Sequence, residues 1–423
     1  MTDVKQRLEK IGIGLPEILL PKKGTDLAKW AVVACDQFSS ERDYWERVKS
    51  VVGDAPSTLG LIIPECYLED GDTETRVREI NGRMKSYLED LLEPLEPGFV
   101  LVDRKTAHCE SRKGLVLAVD LETYSFEAGA TSLIRPTEGT ILKRLPPRMA
   151  VRRGAVLDLP HILLLLDDPG RTVIEPLFSA RKSFRKVYEF DLMAKGGSVA
   201  GWHVPEEALH DAALALEKLA AGGFLFAVGD GNHSLATAKS LWEEKKASGA
   251  VPDDPARWAL VEVENIHDEG LHFHPIHRVL FGLDEEEFLA EMAKALEGRF
   301  EAGPAGPSPK TEHGHVVGTV SASGEKCFVF SPAEERMTVE FFQDFLDGYL
   351  SRHPEVAIDY IHGEEAVRQM GAGEGNAGFF MPPLDKSVFF ERIVKVGPYP
   401  RKTFSIGEAT EKRYYLESRR LVR

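Results

Sequence analysis

The stretch FLFAVGDGNHSLATAKSLWEE, Phe224 to Glu244, constrains the fold more than any other. An apolar run ends in Gly229-Asp230-Gly231-Asn232-His233-Ser234, and a helical sequence follows with no spacer. Such a chain leaves a buried strand through a glycine turn and enters a helix at once. The first amides of a helix lack internal partners and carry partial positive charge. Glycines ahead of them let the main chain approach an anion closely, so the unit is a natural phosphate seat. Gly231 belongs to that seat, Asn232 and Ser234 are placed to cap the helix or donate to phosphate oxygens, and His233 to touch a phosphate. Asp230 is a candidate for a magnesium ion riding on the phosphates. The same residues also read as a plain capped turn. No Gly-Lys-Ser/Thr follows, so the stretch is not a Walker loop.

The remaining pattern predicts an α/β (α+β) chain of mixed sheets flanked by helices. Strands are expected in WAVVACDQFSS, STLGLIIP, GFVLVDR, KGLVLAVDLETYSF, PHILLLLDD, TVIEPLF and RWALVEVENI. Helices are expected in SERDYWERVKSVV, capped by Ser39 or Ser40, in Thr73 to Leu92, in Pro205 to Ala221 and in DEEEFLAEMAKALEGRF. Glu301 to His315 is rich in proline and glycine and reads as a loop or insertion boundary. Beyond it, strands (HVVGTVSA, KCFVFS, VAIDYIH, AGFFMPP, SVFFERIV) mix with helices (TVEFFQDFLDGYL, GEEAVRQMG). The expected division is an N-terminal unit over 1–130, a core over 131–300 and a C-terminal part over 301–423.

A net charge of −16 argues against a general nucleic-acid footprint. Cys35, Cys66, Cys109 and Cys327 are widely spaced and read as reduced thiols. The N-terminal stretch makes a poor signal peptide, and HILLLLDD is too short to span a bilayer. The expectation is a cytoplasmic protein with a small-molecule substrate and no nucleic-acid or membrane partner; the oligomeric state is open.

VGDGNHSLATAKSL, together with LIRPTEGT, LHFHPIHRVLF and YPRKTFSIGEATEKRYYLESRRL, resembles the family known as domain of unknown function 1015. The first of these is also similar to the phosphate-binding motif of the ParB/sulfiredoxin superfamily, which includes free-serine kinases. The resemblance implies a ParB/sulfiredoxin-like phosphate-binding unit and a kinase acting on free L-serine or a relative, with ATP, ADP or pyrophosphate as donor and Mg²⁺. It implies Glu138, Asp230 and His233 as catalytic residues, Glu138 taking the hydroxyl proton. It places Gly231, Asn232, Ser234, Arg401, Lys402 and Thr403 on phosphate, and His277 and Arg278 on substrate. Ser234 stands where the superfamily usually has arginine, and Thr137 where the family often has histidine. The alternative implied is a ParB-like nucleotide-binding switch without phosphotransferase activity. In the His272 to Arg278 stretch, His272 and His274 would share one strand face, without an obvious third metal ligand.

Overall fold

Residues 98 to 105 show how the first part of the chain is built. Phe99 and Leu101 enter one apolar core, while Val100 and Val102 enter another. Leu115 and Leu117 likewise oppose Val116. Successive side chains of a strand point to opposite faces, so these strands are buried on both. Each buried Val or Leu contributes about 1.5–3 kcal/mol, which penalises a one-residue slip of register.

The computed structural model describes residues 3–68, 70–127, 129–301, 306, 314–331 and 336–423. It divides into two units, Met1–Leu271 with Arg392–Pro398 and Ala409–Arg423, and His272–Glu391 with Tyr399–Glu408. In the first, β1 (Ile13–Gly14), β2 (Gly98–Lys105), β3 (Arg112–Asp120), β4 (Ile134–Pro136), β5 (Leu163–Leu166), β6 (Arg185–Asp191), β7 (Ser198–Pro205), β8 (Phe226–Asp230) and β9 (Trp258–Asn265) form one nine-stranded sheet. Its order is β6-β7-β2-β3-β9-β5-β8-β4, with β1 on β3. β4 runs parallel to β8 and β5 parallel to β9, and the other pairs are antiparallel. Helices α1 (Asp3–Lys10), α4 (His210–Ala220) and α5 (Asn232–Ala247) supply Leu8, Leu216 and Leu235 to one core. Helices α2 (Arg42–Val52) and α3 (Thr73–Asp90) supply Trp45, Val48, Ile80 and Met84 to the other.

In the second unit, β11 (His277–Phe281), β12 (Arg299–Glu301), β13 (His315–Ser321), β14 (Gly324–Phe330), β15 (Ala357–Ile361) and β16 (Asn376–Phe380) form a sheet ordered β12-β14-β13-β16-β11-β15. β10 (Phe273–Pro275) pairs separately with β17 (Phe404–Ile406). α6 (Glu285–Ala295) and α7 (Thr338–Arg352) pack Phe288, Phe342 and Tyr349 against Phe379 of β16. α8 (Glu364–Gly371) lays Val367 against Val279 and Val320.

The mixed α/β class is as expected, but several segments differ. TVIEPLF is helical over Ile174–Ser179, and SVFFERIV gives a short 3₁₀ turn and then a helix over Phe389–Lys395. STLGLIIP forms a 3₁₀ turn over Thr58–Leu61. All three are short apolar runs, for which periodicity does not separate strand from helix. Glu41, not Ser39 or Ser40, precedes α2, and its side chain makes no cap bond. The divisions at 130/131 and 300/301 do not coincide with the two units. β9 pairs with β3 across the first, and β14 with β12 across the second. Most of the loop expected over Glu301 to His315 lies outside the described residues. No described helix is long and apolar enough to cross a membrane.

Candidate functional site

β4 and β8 are parallel neighbours, with Pro136 opposite Val228. Their C-terminal ends therefore emerge at the same edge of the sheet, where ligands of α/β sheets are generally held. β8 ends at Asp230, Gly231 turns with φ +79°, and α5 begins at Asn232. A Cβ at Gly231 would stand 3.0 Å from the Ile162 Cα, so both the conformation and the space call for glycine. Leu235 N donates to Gly231 O at 3.0 Å, and a glycine N-cap brings no side chain to the amides of the first turn.

Glu138 is brought to this turn by its neighbour. Thr137 N donates to Asn232 Oδ1 at 3.3 Å and Asn232 Nδ2 donates to Thr137 Oγ1 at 3.3 Å. Thr137 Oγ1 also donates to Val228 O at 2.6 Å and is fully buried. Four residues after Thr137, Ile141 N donates to His233 Nε2 at 3.3 Å. The loop carrying Glu138 is thus tied at both ends to the start of α5, and Glu138 itself is half-buried.

Asp230 carries the charge pairing of the site. Its Oδ1 accepts from Gly231 N at 2.8 Å and its Oδ2 from the Lys412 ammonium at 3.0 Å. Burial alone would raise the Asp230 carboxyl, but Lys412, helped by His161 and the Gly231 amide, holds it below the usual carboxylate range. Lys412 is itself pinned through its backbone. Arg104 donates to Lys412 O at 2.6 Å and to Thr410 O at 2.9 Å, and Arg112 donates to Glu411 O at 2.9 Å. Tyr414 and Tyr415 then pair antiparallel with Val33 and Val32.

That pairing delivers Tyr415 to a second group of side chains. Ser234 Oγ lies 2.8 Å from His161 Nε2, and His161 Nδ1 lies 2.7 Å from the Tyr415 hydroxyl. The Tyr415 hydroxyl meets Cys35 Sγ at 3.1 Å and accepts from Cys35 N at 3.3 Å. Asp36 Oδ2 stands 3.9 Å from His161 Nε2. Burial pushes the Cys35 thiol up to about 12 and the Tyr415 phenol well above its ordinary value, so both remain protonated at neutral pH.

The first unit therefore brings together Glu138, Asp230, Gly231, Asn232, His233 and Ser234. Arg401, Lys402 and Thr403 belong to the second unit. There Thr403 Oγ1 donates to Pro400 O at 2.6 Å, and the Lys402 ammonium lies 6.0 Å from the Tyr360 ring. His277 and Arg278, expected on substrate, also belong to the second unit. His277 Nδ1 accepts from Met381 N at 3.1 Å, and Arg278 has no exposed surface, donating to Ile276 O and to Gln343 Oε1. Both side chains are buried in that unit, and Arg278 Nη2 is left there without a hydrogen-bond partner among the described residues. Lys412, His161, Tyr415 and Asp36 were missed, because a lone Lys, His or Tyr has no periodicity or spacing that marks it. Lys412 and Tyr415 do lie in the long C-terminal stretch that carries the family resemblance.

Among the described residues, no three His, Cys, Asp or Glu side chains gather as metal ligands. The His272 and His274 rings are 6.4 Å apart. Asp230, the expected magnesium contact, gives one oxygen to the Gly231 amide and the other to Lys412. The expected magnesium contact runs through donor phosphates, and Asp230 is the carboxylate on this turn that would share in holding it.

The family described as "Protein of unknown function (DUF1015)" matches residues 19–349. No curated protein matches the chain. Among solved structures, a conserved hypothetical protein from Pyrococcus furiosus is 12% identical, covering 72% of this chain and 95% of that one, with a TM-score of 0.39. A free serine kinase mutant in complex with AMP is 13% identical, covering 72% and 92%, with a TM-score of 0.41. A C-terminally truncated SbnI from Staphylococcus aureus is 12% identical, covering 69% and 82%, with a TM-score of 0.38.

Proposed function

The chain belongs to the DUF1015 family, and we propose that it is a small-molecule kinase, transferring a phosphoryl group to the hydroxyl of free L-serine or a close relative. A nucleotide or pyrophosphate would be the donor. One observation carries the reading: the Thr137–Asn232 pair ties the residue before Glu138 to the glycine-capped start of α5. That tie supports a reading in which the Glu138 carboxylate works beside amides suited to phosphate.

In this reading the acceptor oxygen attacks the terminal phosphorus of the donor. The bridging P–O bond breaks, its electron pair leaves with the departing phosphate, and the hydroxyl proton passes to Glu138. The first-turn amides of α5, with Asn232 and Ser234, hold the phosphates. Lys412 keeps Asp230 ionised and adds positive charge where the transferred group builds negative charge. Catalysis is then positioning and electrostatics.

The test is a mass-spectrometric screen of free amino acids with ATP, ADP and pyrophosphate. A phosphorylated amino acid is expected with at least one donor. Glu138→Gln should lower turnover by about 100-fold or more and leave donor affinity within twofold, the range for loss of one general base. A wild-type chain that binds nucleotide tightly and phosphorylates nothing would instead be a nucleotide-binding switch.

A further inference from the structure

The hydroxyls along α5 do not behave alike. Thr237 Oγ1 donates to His233 O at 2.7 Å, and Ser240 Oγ to Ala236 O at 2.9 Å. That back-bonding to the carbonyl one turn earlier is the ordinary fate of Ser and Thr inside a helix. Ser234 instead faces an imidazole, at 2.8 Å from His161 Nε2. His161 is 9% exposed, and its other ring nitrogen is held by Tyr415 at 2.7 Å. A hydroxyl within reach of an imidazole that a third group orients is the arrangement that activates serine nucleophiles.

Tyr415 holds the ring from its other side: its oxygen accepts from Cys35 N at 3.3 Å, meets Cys35 Sγ at 3.1 Å and lies 2.7 Å from His161 Nδ1. In the tautomer that carries its proton on Nδ1, Nε2 is the acceptor turned toward Ser234. Asp36 Oδ2 stands 3.9 Å from the same nitrogen. Ser234 is the third residue of a 16-residue helix, and a doubly charged phosphoserine there lies in the favourable field of the helix N-terminus.

We propose that Ser234 and His161 are a nucleophile and its base, and that Ser234 takes the phosphoryl group before the free acceptor does. This rests on the phosphoryl-transfer reading above and divides it into two steps. In the first, Ser234 Oγ forms a bond to the terminal phosphorus of the nucleotide or pyrophosphate. The bridging P–O bond breaks with its electrons on the leaving phosphate, and the Ser234 proton goes to His161 Nε2. In the second, the amino-acid hydroxyl attacks the phosphoserine phosphorus. Its proton goes to Glu138, and Ser234 Oγ leaves, taking the proton back from His161.

The experiment incubates the full chain with ATP, ADP or pyrophosphate and magnesium, without an amino acid, and reads intact mass and phosphopeptides. One phosphate per chain is expected, on Ser234, discharged when L-serine is added. Ser234→Ala should abolish the label, and His161→Gln should slow it by about 100-fold or more. Tyr415→Phe keeps the ring volume and removes only the orienting hydroxyl; it should slow labelling without weakening donor binding. Phosphorylated amino acid formed while Ser234 stays unlabelled would overturn this inference and leave the kinase reading standing. Labelling at an unchanged rate in His161→Gln would overturn the assignment of the base. Neither label nor product with any donor would remove both.

Discussion

The two units are held together by different physics. The interior of the first contains a chain of buried charges. Arg413 pairs with Glu262 at 2.8 Å and with Glu417, Glu417 accepts from the Tyr188 hydroxyl, and Arg112 pairs with Glu264 at 3.0 Å. Gly114 leaves the room, since a Cβ there would meet Glu262 Oε1 at 1.9 Å. The interior of the second is aromatic, with Phe288 set 4.8 Å from Tyr349 and 5.5 Å from Phe379, and Phe342 4.9 Å from Phe379. Buried ion pairs return little net stability, because desolvation offsets most of the attraction. Their value here is directional: Arg104, Arg112 and Arg413 fix the segment from Thr410 to Glu417, and that segment carries Lys412 and Tyr415 into the candidate site. Aromatic packing holds an element in place without specifying which polar atom points where.

The largest expected effect tests that contrast. Arg413→Met leaves Glu262 and Glu417 buried without their partner and should cost about 3–5 kcal/mol. Phe288→Ala in the second unit should cost a similar amount, about 3–5 kcal/mol, through the cavity it opens. Adding Glu262→Gln to Arg413→Met should recover part of the loss, whereas a cavity has no such partner. Urea unfolding separates the cases, because all five tryptophans, Trp30, Trp45, Trp202, Trp242 and Trp258, lie in the first unit. A double variant no more stable than Arg413→Met alone would break the comparison.

Acid should act in opposite directions on two buried groups, one in each unit. Burial, with Arg278 adding to it, pushes His277 down from 6.5 to about 4. Between those values the unfolded chain binds a proton that the folded one refuses. The second unit is therefore fully supported above about pH 6.5 and loses about 3 kcal/mol at most as pH falls through about 4. Burial pushes Glu264 up to about 7, against the pull of Arg112. There the folded state keeps a proton that the unfolded chain releases, so this contribution is greatest below about 4.5 and is lost as pH rises through about 7. Hydrogen exchange resolved by unit, from pH 4 to pH 8, reads both slopes; His277→Gln should flatten the one in the second unit. A slope in the second unit left unchanged by His277→Gln would contradict the assignment to His277.

The smallest expected effect lies away from either core. Gly82 sits on the exposed side of α3, with open space where a Cβ would go. Gly82→Ala should stabilise the first unit by about 0.5–1 kcal/mol, read as a raised urea midpoint of tryptophan fluorescence.

Much of this was legible in the chain. The run ending in Gly231 announces β8 and α5 because a turn of that shape needs glycine and α5 follows directly. The long amphipathic segments at α4, α6 and α7 are helices because their apolar spacing repeats over several turns. TVIEPLF and SVFFERIV were not legible, since a run of seven or eight apolar-rich residues suits strand and helix alike.

Local sequence determined which elements form and that one of them opens on a glycine-capped helix start, because backbone geometry and periodicity act over a few residues. The tertiary structure decided which side chains meet there. It chose Lys412 as the partner of Asp230, set His161 between Ser234 and Tyr415, and took Arg278 into the interior of the second unit. Those choices join positions up to 254 residues apart and follow from strand pairing and buried charge, which no local pattern encodes.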